Sequence, residues 1–161
     1  MLAQNFLYDA LQTVNILSLV VWIGGMYFVH FFLRPSLTTL EPPQRLILMH
    51  ATLSRFFAAV LIASLATVGS GVWMIGRIAK MASQSGGNFM MPWTWSVMAA
   101  LGVLMMLIFF YIRFALFKPF EASVQASQWK EAGAHLGRVR LWVTVNMVIG
   151  SAIIVIQTLF A

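Results

Sequence analysis

Hydrophobic residues fall into four long stretches along this chain, at about 10–33, 56–78, 93–117 and 140–160, with polar residues gathered between them. The first is the most regular. Val14 to Leu33 carries no charge, and Arg34-Pro35 stops it. At about 1.5 Å per helical residue, that run spans about 30 Å, the thickness of a bilayer hydrocarbon core. The pattern predicts an all-α integral membrane protein: one four-helix transmembrane bundle over residues 1–161, with no separate soluble domain.

Local chemistry sets the expected boundaries. Proline disfavours helix at the residue before it, which places the end of the first span at Arg34. Pro42-Pro43 opens the next helix, where a missing N–H costs nothing. From Pro43 to Ile78 nothing interrupts the pattern, and that length makes about 54 Å of helix, more than one crossing needs. Its first turns, holding Gln44, Arg45, Thr52 and Arg55, are therefore expected in the interface or the cytosol. Residues 79–92, rich in Gly, Ser and Asn, read as a loop. Trp93 and Trp95 read as markers of the outer interface. The second half repeats the arrangement: "FKP" at Phe117–Pro119 matches "LRP" at Leu33–Pro35, and an amphipathic stretch from Glu121 leads into the last span. A parallel repeat of two hairpins would explain this, although basic residues and prolines are common at the inner corner of any membrane hairpin.

Composition narrows the class. The 161 residues are 61% hydrophobic and 9% charged, outside the range of soluble domains. Cysteine is absent, which excludes disulfides, thiolate zinc sites and iron–sulfur clusters. No Lys or Arg precedes Arg34, so the first span lacks a secretory leader's basic region and reads as retained. The net charge of +6 reflects topology. Arg34, Arg45, Arg55, Arg113, Lys118, Lys130, Arg138 and Arg140 all fall in or beside the two loops on one side. Only Arg77 and Lys80 fall on the other. The positive-inside rule then places the N- and C-termini on the outer (periplasmic) side of a bacterial-type inner (plasma) membrane. The bilayer is the expected partner, with other membrane subunits or a homo-oligomer as further possibilities and no role for nucleic acid.

Several polar residues exceed what an anchor needs. His30 lies one helical turn inside Arg34 and one turn from Met26, so thioether and imidazole share a face and suit Cu(I). Imidazole alone also suits haem iron. Against that stands an ordinary hydrogen bond from His30 to a neighbouring helix, for instance to Asn146. On the fourth helix His135, Arg138, Trp142, Asn146 and Gly150 are spaced along one face, offering an axial ligand and cations for propionates, or simply a basic helix start beside anionic lipid. His50 and His135 lie at similar heights. His30 and His50 differ by about 14 Å along the membrane normal, which opposes one metal held by all three. Core packing explains the methionines of the third span. Phosphate-loop and nucleophile-elbow motifs are absent, as are paired carboxylates within a span.

VVWIGGMYFVHFFLRP, the following PPQRL, and RVRLWVTVNMVIG together resemble the copper-resistance protein D (CopD) family. More distantly they look like the haem-binding HemJ-type protoporphyrinogen oxidases. Both families tend to carry a histidine seven residues before the first-span tryptophan. Counting back from Trp22, this chain has Asn15 there, which fits an interhelical hydrogen bond instead. HemJ-type proteins also carry a lysine early in the third span, where this chain has Met98. The resemblance implies a copper- or haem-associated protein (haem b or copper) engaged in metal handling or electron transfer. Its candidate cofactor residues are His30, His50, His135, Arg138 and Asn146, and its candidate metal ligands are His30 and Met26. The alternative is a non-catalytic accessory subunit of a larger, respiratory-type membrane complex, suggested by the missing ligands and by Gly24-Gly25 and Gly69-x-Gly71 as close-packing surfaces.

Overall fold

The computed structural model describes residues 2–86 and 90–160, with side chains from Phe6 onward. Its described elements are all helical. Four helices are long and apolar enough to cross a membrane: α1 (Phe6–Thr39), α2 (Pro42–Gln84), α3 (Trp93–Gln125) and α4 (Trp129–Phe160). Helix α1 packs along α2 and α3 along α4, and α4 also touches α1 and α2 to join the two hairpins. Large apolar side chains such as Val20, Ile62, Val72 and Leu141 stay exposed on the outside, which suits contact with lipid and not with water.

The helices overrun the expected spans. Helix α1 continues through Pro35, and α3 through Pro119. The reason is the same in both. Proline lacks a donor and its ring clashes with the carbonyl four residues back. Here a wide π-helical turn stands just before each proline, at Phe28–Leu33 and at Ile112–Leu116. Within them the Arg34 N–H reaches Val29 O and the Phe117 N–H reaches Ile112 O. That widened spacing moves the offending carbonyl aside, so the rod need not end. The shared device strengthens the resemblance between the two halves.

A further π-helical turn spans Val20–Gly24. Together the turns keep one face of α1 against the core. Ser18, Trp22, Met26 and Val29 are buried, Leu33 packs on the core, and Leu37 is buried again. From Ser18 to Leu37 is 19 residues in five turns, where a regular α-helix uses about 18.

Helix α2 also runs past its expected end, to Gln84, so the outer loop is shorter than 79–92; residues 87–89 of that stretch lie outside the described residues. The α3–α4 turn is tight. Gln128 N–H donates to Ser123 O (2.9 Å) and Ser127 adopts φ 56°, the left-handed cap position that usually takes glycine.

An aromatic column runs through the interior. Trp22 of α1 meets Phe109 of α3 edge-on, Phe109 meets Phe57 of α2, and Phe57 meets Phe117 at 5.2 Å. Edge-to-face pairs of this kind add about 0.5–1.5 kcal/mol each beyond burial. Two glycines pack closely within the chain. A Cβ at Gly25 would fall on the Phe56 ring, and one at Gly150 would press on Ile23 and Met105. Gly24, Gly69 and Gly71 have nothing within 4 Å and are not packing positions inside this chain.

Candidate functional site

A cleft of about 390 Å³ opens at the end of the bundle that holds the α1–α2 and α3–α4 turns. Its walls come from the last turns of α1, the first turns of α2 and the first turns of α4. The sequence builds it locally. Pro42 and Pro43 start α2 abruptly after Leu40, leaving the carbonyls at the end of α1 short of backbone donors beyond the Leu40 N–H on Leu37 O. Arg45 supplies them: its Nε donates to Leu37 O (3.1 Å) and its Nη2 to Leu40 O (3.1 Å) and Thr38 O (3.4 Å). The Ser127 turn then brings Trp129 and Lys130 to the opposite wall.

The floor is apolar, formed by Val29, Leu46, Met49, Leu53, Val139 and Val143. The rim carries Arg34, Arg45, Lys130 and Arg140, and no carboxylate lines the cleft. Arg34 comes to it from α1 and Arg140 from α4, and both are exposed.

His30 stands between rim and floor. Its Nδ1 lies 3.3 Å from Thr144 Oγ1. That hydroxyl spends its own proton on Arg140 O at 2.9 Å, so it accepts from His30, an assignment made from the hydrogen-bond network. With Nδ1 engaged in that bond, Nε2 is the ring nitrogen left for a metal or another partner. The interhelical partner of His30 is thus Thr144 and not Asn146. Met26, one turn away, is 2% exposed.

The other candidates lie elsewhere. His50 Nε2 meets Glu121 Oε1 at 3.3 Å across α2 and α3, and its ring stacks on Phe117 at 5.6 Å. This contact also ties the α3–α4 turn to the same end as the α1–α2 turn. His135 and Arg138 do not line the cleft. The cleft face of α4 runs through Gly133, Gly137, Arg140 and Val143, and Arg138 stands about 200° round the helix from Arg140. Asn146 is 1% exposed, and its Oδ1 meets no donor among the described residues. Among the described residues no three His, Asp or Glu side chains gather as a metal site.

Sequence reasoning passed over Arg34, Lys130 and Arg140 as topology signals. The 133/137/140 face and the 135/138/142 face of α4 have equal periodicity, and only the packing of α1 and α2 chooses between them. Asn15 behaves as expected: its Nδ2 donates to Thr67 O and to Ser70 Oγ on α2, both at 3.0 Å.

No curated protein and no solved structure matches the chain. The family model described as copper resistance protein D matches residues 50–160, more than half of its length. With four apolar helices of crossing length, this chain belongs to the copper resistance protein D family of multi-pass membrane proteins.

Proposed function

We propose that this protein handles copper at the inner membrane of a bacterial-type cell, with its basic end toward the cytoplasm and its termini outside. Family membership is the observation that carries the copper reading. The orientation rests on charge: Arg34, Arg45, Lys118, Lys130, Arg138 and Arg140 collect at the end with the two tight turns, where the positive-inside rule expects them.

Copper enters as cargo. His30 and Met49 line the same cleft, and the Met26 thioether is buried in the core one turn from His30 on α1. Thioether and imidazole suit Cu(I). The donor set fits a transient contact better than a resident centre, because no cluster of harder ligands completes it among the described residues. The cations at the rim oppose prolonged retention of a positive ion and favour hand-over. Haem b and electron transfer have less support, since His50 is engaged by Glu121 and Arg138 faces away from the cleft.

Competition for Cu(I) against a chromogenic chelator tests this reading, together with growth on copper. The purified protein is expected to hold Cu(I), His30→Ala to weaken it about ten-fold, a loss of about 1.4 kcal/mol, and Met26→Leu to weaken it less. Failure to compete, with unchanged copper tolerance in cells lacking the protein, refutes it.

A further inference from the structure

The basic cleft carries a chemistry that copper does not explain. Its rim gathers cations and no acid: Arg34, Lys130 and Arg140 have no carboxylate partner among the described residues. The four acids of the chain are placed elsewhere. Glu121 is taken by His50, Glu41 and Glu131 are exposed and do not line the cleft, and Asp9 is near the other end. Arg34 and Arg140 reach the same cleft from different helices, so the folded chain gathers like charges there without an internal counter-ion. Arg45 is the exception, its guanidinium already donating to three backbone carbonyls.

Beneath this rim the cleft turns apolar within one helical turn. Val29, Met49 and Leu53 are buried side chains that still border the open volume. A small hydrated anion would satisfy the rim and leave that floor wet. An amphiphile satisfies both. The volume, about 390 Å³, lies within the range of ordinary ligand sites. Basic pockets between membrane helices at the level of the head groups suit anionic lipid.

We propose that this cleft binds the phosphodiester head of an anionic phospholipid, with Arg34 and Arg140 clamping the phosphate, Lys130 at the rim, and the first acyl carbons on the Val29–Met49–Leu53 floor. The shared chemistry is a phosphate oxyanion, and the apolar floor selects the lipid over the free ion.

Metal-free protein in a neutral detergent, titrated with phosphatidylglycerol, phosphatidylcholine or inorganic phosphate and read by native mass spectrometry, decides the matter without reference to copper. Phosphatidylglycerol is expected to remain bound where phosphatidylcholine does not. Arg34→Gln with Arg140→Gln is expected to weaken it about thirty-fold, at roughly five-fold for each basic group. Arg34→Lys with Arg140→Lys, which keeps the charge, is expected to retain most of the binding and guards against a folding defect. Arg138→Gln removes one charge from the same helix on another face and is expected to change nothing. Equal binding of phosphatidylcholine, equal loss in Arg138→Gln, or displacement of the lipid by millimolar inorganic phosphate each overturns the assignment.

Discussion

The two ends of α1 treat polar groups in opposite ways. Toward the termini, Asn15 reaches across to α2 and finds both a carbonyl and a hydroxyl at 3.0 Å, and Ser70 passes its own proton to Ala66 O at 2.7 Å. That polar cluster is engaged within the chain and welds the hairpin. At the other end, Arg34 and Arg140 line one cleft that no acid lines. A polar group partnered inside the chain contributes to folding. A charged group held beside its like, against a dry floor, has its partner outside.

The contrast breaks most severely where α1 meets α2 through Gly25 and Phe56. Gly25→Val is expected to force the Phe56 ring aside and cost about 1–3 kcal/mol, read as a lower unfolding midpoint in detergent. Its neighbour Gly24, with open space around it, is the control, expected within about 0.5 kcal/mol of the parent. Next in size is Asn15→Leu, which strips the polar weld. Its expected cost is about 0.6–1.7 kcal/mol, and it should leave lipid retention untouched. Smallest is the effect of Arg34→Gln with Arg140→Gln on stability. Both side chains are exposed, so the midpoint should stay within about 0.5 kcal/mol of the parent, and a loss of about 1 kcal/mol or more would show the pair to be structural and collapse the contrast.

Much of this was legible before any coordinates. Four apolar runs and their basic corners announce the bundle, because hydrocarbon tolerates little else. Asn15 announced itself as an interhelical donor for the same reason. The continuation through Pro35 and Pro119 was hidden, since a π-helical turn depends on one hydrogen bond's spacing and leaves no mark on hydropathy. The cleft was hidden differently. In the sequence its cations mark only a side of the membrane. A lone helix offers the Arg138 and Arg140 faces equally, and the choice between them belongs to the packing of α1 and α2 against α4.

The π-helical turn at Phe28–Leu33 therefore does more than excuse a proline. It holds surplus chain in a rod that otherwise repeats regularly, so the two segments of α1 are kept in phase by a mismatch. Deleting that surplus residue would restore about 18 residues to five turns with Leu37 still in phase. Inserting one more than the turn absorbs would instead rotate everything beyond it by about 100°. Leu37 would leave the core and Arg34 would swing from the cleft toward the acyl chains. In this helix, length is an angular setting, and the clamp on the phosphate depends on that setting being kept.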